Sequence, residues 1–202
     1  MVSNQMAEKR KYEMKKRAER LADTRRRITE ATVELHRTVG PAATQINEIA
    51  RRAGVQRMTV YNHFPDESSL LTACSAHWRA LHPSPDLAQW RAVVAPGARL
   101  RRGLRELYAW YRETEPMTAH VLRDAELVPT LRPIVERGLL RYLSEAQRVL
   151  TEPFEAVGLR QERIDAAARG AIDVHLWRAL APLGDPDAAE LAAVLVERAA
   201  DW

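Results

Sequence analysis

Seven closely spaced side chains, about a third of the way along the chain, could do recognition chemistry: Gln56, Arg57, Thr59, Tyr61, Asn62 and His63, with Met58 among them. Arg57 can fork onto the acceptor edge of guanine, and Gln56 or Asn62 can pair with adenine. Thr59, Tyr61 and His63 can reach phosphate oxygens, which fixes register rather than sequence. No acidic side chain interrupts the set. This is the chemistry of a surface that reads duplex DNA.

The elements that must hold these groups lie on either side of Gly54. Residues 45–53 place Ile46, Ile49, Ala50 and Ala53 on one helical face, at i, i+3, i+4 and i+7. Thr44 is positioned as an N-cap, with Asn47 three residues on as a weak capping-box partner. Gly54 can take a positive φ and turn the chain. Beyond it, Val55, Val60 and Phe64 supply apolar contacts and leave the polar set outward. Helix, glycine turn and polar second helix make a helix-turn-helix. A plain helical hairpin with a solvated face has the same spacing, and spacing alone does not separate the two.

The run INEIARRAGVQRMTVYNHFPDESSLL resembles the DNA-binding signature of tetracycline-repressor-type (TetR family) transcriptional regulators. The matching features are the IA-x-x-AGV core, the T-V-Y-x-H-F segment and the proline-started helix after it. With the preceding helix, the resemblance covers residues 24–76. It implies that Arg57, Met58, Thr59 and Asn62 face the major groove and that Tyr61 and His63 hold phosphates. Asn47 matches a position that sometimes reaches a base, and Thr44 beside it is counted in the same contact set. Where the family often has a lysine after the aromatic-proline turn, this chain has Glu67, which removes one phosphate contact.

The chain has 202 residues and a formal net charge of +4, distributed unevenly. Residues 1–63 hold 14 Lys+Arg against 7 Asp+Glu, whereas residues 64–202 hold 17 against 20. A basic front and a mildly acidic back suit a chain that sets one end on a polyanion. Residues 1–23 read as a basic arm that either extends the first helix or stays unfolded until it meets phosphate. Together with Arg25 and Arg26 just beyond it, the arm is expected to add salt-dependent DNA affinity; a solvated tail is the alternative. Residues 24–65 form the helix-turn-helix domain and residues 66–202 a C-terminal ligand-binding and dimerisation domain. The single Cys74 excludes an internal disulfide and fits a reducing cytosol. No apolar run approaches a membrane span and no export signal is present, so a cytoplasmic location is expected.

The remainder has helical period throughout, so the expected fold is all-α: a three-helix helix-turn-helix head followed by a helical C-terminal domain. Residues 28, 31, 35 and 39 form the stripe of the first helix. Further helices are expected over 98–114, from Pro116 through Leu122, over 129–152, over 160–180 and over 187–202, the last opened by Asp185-Pro186. Ile164, Ala167, Ala168, Ala171 and His175, with Leu191, Val194, Leu195 and Arg198, give stripes for a homodimer through the last two helices. Internal packing of a monomer is the alternative. The resemblance favours the dimer, which groove geometry also needs, with reading helices about one turn, ~34 Å, apart.

The resemblance also implies a small-molecule effector. Trp78, Tyr108, Trp110 and Tyr111, with His120, Tyr142, His175 and Trp177, are expected near its pocket, although aromatics at this spacing also serve as plain core. Six histidines show no metal spacing, and no phosphate loop, dinucleotide fingerprint or serine elbow appears. Neither a cofactor nor enzymatic activity is expected; a Cys74–His77 nucleophile pair is the one enzymatic alternative. The expected function is a DNA-binding transcriptional regulator, by family default a repressor that an effector releases from a palindromic operator. An effector-independent nucleoid protein is the other reading.

Overall fold

A computed structural model describes residues 2–201; Met1, Trp202 and the side chains of residues 2–7 and Lys9 lie outside the described residues. The helices are α1 (Val2–Thr38), α2 (Ile46–Ala53), α3 (Arg57–His63), α4 (Glu67–Leu81), α5 (Leu87–Arg91) and α6 (Pro96–Asp124). They continue as α7 (Arg132–Val135), α8 (Arg141–Thr151), α9 (Gly158–Ala171), α10 (Val174–Leu180) and α11 (Asp185–Asp201). Among the described residues there is no strand, as the unbroken helical period of the sequence predicts.

The basic arm is helix. α1 runs 37 residues, roughly 55 Å, without a break. Only its C-terminal part packs: Ile28, Thr32, Val33, Leu35 and His36 are buried, whereas Val39, expected on the stripe, is exposed beyond the helix end. Tyr12, Met14 and Leu21 on the arm are exposed.

Two large cores and a smaller cluster of Leu71, Leu131 and Val135 hold the chain. In the head, Ile28 and Leu35 of α1 meet Ile49 and Ala53 of α2, Val60 of α3 and Phe64. Leu70 and Cys74 of α4 and Met117 of α6 close this core from below, so the head packs directly on the long central helix. In the body, Leu100, Leu104 and Leu107 of α6 pack on Val149 and Leu150 of α8 and on the alanine face of α11. Ala188, Ala192 and Ala193 are fully buried there, because small side chains let α11 approach α6 and α9 closely.

Four boundaries differ from the sequence expectation. Pro116 starts no helix; α6 passes through it, and the residue lies exposed, where the carbonyl it deprives of an amide can take water. The expected 129–152 helix begins at Arg132 and contains a π-helical turn, Glu136–Leu140. The expected 160–180 helix breaks at Ile172-Asp173, where the Asp173 carboxylate accepts from the His175 amide at 2.7 Å and caps α10. Asp185 is the first residue of α11, and its carboxylate serves Arg112 at 2.7 Å rather than its own helix.

Candidate nucleic-acid interface and ligand cavity

Local sequence builds the candidate face. Gly54 sits at φ 64°, ψ 40°, and its amide returns to the carbonyls of Ala50 and Arg51, ending α2 in the left-handed cap that glycine adopts without strain. Thr44 does not cap α2. Gln45 occupies that position, and the Thr44 hydroxyl instead donates to the Gly40 carbonyl at 2.8 Å, closing the preceding turn.

α3 turns Val60 alone fully inward. Gln56, Arg57, Met58, Tyr61 and Asn62 are exposed, with Met58 66% accessible, while Thr59 and His63 are half-buried. Asn47 is exposed on the first turn of α2 and Thr44 is half-buried beside it. Arg57 lies over the Tyr61 ring, 5.5 Å from its centroid, and donates to the Tyr61 hydroxyl at 3.0 Å. That i, i+4 contact holds a flexible guanidinium in place at the open surface.

Other cations near the face are braces. Arg25 donates to the His63 carbonyl and stacks 4.0 Å over Phe64, tying α1 to the end of α3. Arg26 is held between Asp23 at 2.6 Å and Glu30 at 2.9 Å. Arg27, outside the expected contact set, donates to the Ala53 carbonyl at 2.8 Å and fixes α1 against the α2 cap. Glu48 on α2 accepts from Arg51 and Arg52, which hold its carboxyl down to about 2. Glu67 accepts from the Thr130 hydroxyl and so links the head to the body.

Beneath the head, α1, α4, α6 and the α7–α8 segment enclose a cavity of about 260 Å³. Trp78, Trp110 and Tyr142, all three expected near a pocket, line it. Tyr108 and Tyr111 do not. Both are fully buried in the body core, and their hydroxyls donate to the carbonyls of Ala171 and Ile172 at 2.7 and 2.6 Å, serving the α9–α10 break. Trp177 is buried beside Tyr111 and donates to Asp185. His120 and His175 line a different, open cleft between α6 and α10. Periodicity could not separate these cases, because core and cavity aromatics share the same spacing.

The polar wall of the cavity escaped the sequence reading. It consists of His36, Ser75, Arg79, Ser84 and Thr118, and among the described residues no carboxylate lines the space. His36 comes from α1 and is 6% exposed. Burial pushes its imidazole down to about 4 against a weaker opposing pull from Asp124, so the ring is neutral near pH 7. Gly138 and Leu139 reach the wall through the π turn.

Close to His36, a second set of contacts joins head to body. Asp124, at the end of α6 and 0% exposed, accepts from the Ala42 amide at 2.9 Å and from Arg123 at 2.7 Å. Burial alone would raise its carboxyl, but the Arg123 guanidinium and the Ala42 amide hold it below the ordinary value. Gly40, at φ 92°, lies so near that an added Cβ would stand 2.5 Å from the Asp124 carboxylate. His120 meets the His36 carbonyl at 3.2 Å.

The candidate dimer stripes divide. Ile164, Ala168 and Ala171 of α9 point into the protomer's own core, Ala167 is half-buried against it, and His175 sits at the open cleft on α10. On α11, Leu191 and Leu195 are 41% and 50% exposed, Arg198 is exposed and Val194 is half-buried. Cys74 is buried, and desolvation pushes its thiol up to about 12, the opposite of an activated nucleophile. No group of His, Cys, Asp and Glu among the described residues is arranged to hold a metal. No helix among them is long and apolar enough to cross a membrane.

Residues 28–74 match the family model described as bacterial regulatory proteins, tetR family. The HTH-type transcriptional regulator SrpR of Pseudomonas putida is 37% identical over 86 residues, which is 40% of this chain and 40% of that protein. TtgW, an HTH-type transcriptional regulator from a strain of the same species, is also 37% identical over 86 residues, 40% of this chain and 64% of that protein. The matched stretch thus spans less than two thirds of either relative. A TetR transcription regulator from Haloarcula marismortui superposes with a TM-score of 0.55 at 18% identity, covering 89% of this chain and 97% of that one. The TetR family transcriptional regulator PfmR from Thermus thermophilus gives 0.56 at 19% identity, covering 85% and 97%. The head thus matches the tetR family model over residues 28–74, and the helical fold of the whole chain is similar to that of these solved regulators.

Proposed function

We propose that this protein is a dimeric, one-component transcriptional repressor that reads a palindromic operator and releases it when a small molecule fills the cavity beneath the head. The single observation that carries the DNA-reading part is the exposed, acid-free face of α3, held by the Gly54 turn. Arg57, Met58 and Asn62 are assigned to bases, with Gln56 and Thr59 beside them. Tyr61, His63, Thr44 and Asn47 are assigned to phosphates and the groove edge. The α1 arm, with Lys11, Lys15, Lys16 and Arg17 exposed, adds counterion release along the flanking backbone. Arg25 and Arg26 are committed to intraprotein contacts, so their part is to set the angle of the reading helix.

Dimerisation is assigned to the outer face of α11, where Leu191, Val194 and Leu195 form an apolar stripe with Arg198 at its end. The cavity favours the effector-released reading over an effector-independent DNA-binding protein, whose core would be filled. Release requires the ligand to bind the non-reading state more tightly, by about 1–3 kcal/mol or more.

Selection of bound sequences from a random duplex pool at moderate salt tests the reading. A two-fold symmetric consensus is the expected result. Absence of enrichment by a folded, helical dimer would remove specific recognition from α3.

A further inference from the structure

The cavity beneath the head has a wall whose chemistry narrows what it can hold. Three aromatic side chains, Trp78, Trp110 and Tyr142, contribute to it, and aliphatic residues of α4, α6 and α7 supply most of the rest. No carboxylate among the described residues lines the cavity to compensate a cation, and a cation buried without one is strongly disfavoured. The single full positive charge, Arg79, is exposed on the solvent side of α4, with its Nε donating to the Ser75 carbonyl at 3.2 Å.

Most polar groups at the wall are already satisfied. Trp110 donates to the His82 carbonyl, Tyr142 to the Pro85 carbonyl at 3.1 Å, and Thr118 to Thr114 at 3.2 Å. His36 differs. It is 94% removed from solvent, yet its imidazole takes part in no hydrogen bond among the described residues. The residue lines both this cavity and a second one towards α2 and α3. A neutral imidazole offers one donor and one acceptor, so it can pair with a hydroxyl in either sense.

We propose that the cavity binds a flat, uncharged, hydroxylated molecule of the phenol or aromatic-alcohol class, with the His36 imidazole as its hydrogen-bonding anchor. The proposal rests on reading the cavity as the effector site and names the class of molecule it accepts. Its anchor lies on α1, a helix of the DNA-reading head, while the aromatic walls belong to the body. A ligand held by His36 therefore spans the two parts directly. The α1 C-terminus leads through Gly40 and the Asp124-bound Ala42 to the reading pair, so a shift at His36 is delivered to α2 and α3.

The test uses the purified full chain, titrated calorimetrically with four probes of one shape: 2-naphthol, naphthalene, 2-naphthoate and 1-methylquinolinium. The expected order places 2-naphthol first, with naphthalene weaker by about three- to tenfold, the effect of one hydrogen bond to a buried neutral partner. His36→Phe should erase the difference between 2-naphthol and naphthalene, and His36→Gln should restore part of it. Wild-type protein carrying 15N-labelled histidine gives a check that needs no variant: one imidazole resonance should move with 2-naphthol and not with naphthalene.

Equal affinity for 2-naphthol and naphthalene, or discrimination that survives His36→Phe, overturns the anchor. Tighter binding of 2-naphthoate or 1-methylquinolinium overturns the uncharged class, and no binding by any probe overturns the proposal altogether. Operator release is read separately, by fluorescence anisotropy of a selected duplex. Binding of 2-naphthol through His36 without release supports the ligand assignment and removes the effector reading. Release by a probe that ignores His36 does the reverse.

Discussion

The head and the cavity beneath it are built by opposite means. The reading face comes from one contiguous stretch, in which a glycine turn and one buried valine set the outward direction of every neighbour. The cavity is assembled from residues as far apart as His36 and Tyr142, carried on α1, α4, α6, the π turn and α8. A contiguous surface keeps its identity when the rest of the molecule moves, because helix geometry fixes it. A cavity made by distant elements exists only while all of them are docked, which is also what lets its occupant alter how they dock.

The largest break between the two regions is expected from the body core. Leu104→Ala removes a fully buried contact of α6 and should cost about 2–5 kcal/mol in chemical denaturation. If the regions are as separate in character as their construction implies, the sequence preference selected at low temperature should be unchanged; an altered consensus would tie the reading face to the body core.

Asp124→Ala comes next. It strands the Ala42 amide and should destabilise by about 1–3 kcal/mol, with faster hydrogen exchange confined to the 39–45 loop. Asp124 also gives this joint a pH dependence. Its carboxyl lies below the ordinary value in the folded chain, so its contribution is complete above the ordinary carboxylate range and is lost as pH falls through the folded value. Wild type should therefore lose stability on the acid side more steeply than Asp124→Asn; parallel curves would remove the ionic character of the joint.

Within the head, Arg57→Ala should relax base preference at one position of each half-site, at a cost of ~1–3 kcal/mol per contact, and leave the melting temperature nearly unaltered. An unchanged consensus would make Arg57 a phosphate ligand or a bystander. The smallest effect on specificity is expected from deleting residues 1–20. The dependence of affinity on salt should flatten while sequence choice is retained, and an unchanged slope would leave the long α1 extension without a part in binding.

Legibility followed the same division. The period of Ile46, Ile49 and Ala53, the glycine at the turn and the acid-free run after it were enough to place α2, α3 and their outward residues. The same pattern could not show that Arg25 and Arg26 are spent on His63, Phe64, Asp23 and Glu30, since charge in a sequence carries no partner. In the body, proline and glycine signals misplaced the starts near Pro116 and Pro129, because long-range packing on α6 and α8 overrode local preference. The break at Asp173 was encoded by a capping side chain that a long alanine-rich run concealed.

By itself, then, the sequence determined the all-helical class, the helix-turn-helix and the direction of its polar face. These depend on residues within a few turns of one another, where 3.6-residue geometry leaves little freedom. Only the tertiary structure decided which aromatics are core and which line a cavity, that Asp124 holds the loop before α2, and that the buried His36 lines a cavity with no hydrogen bond to its ring. Those facts depend on how helices far apart in the chain come to rest on one another. Side-chain volume and hydrogen-bond satisfaction settle that only when all of them are in place.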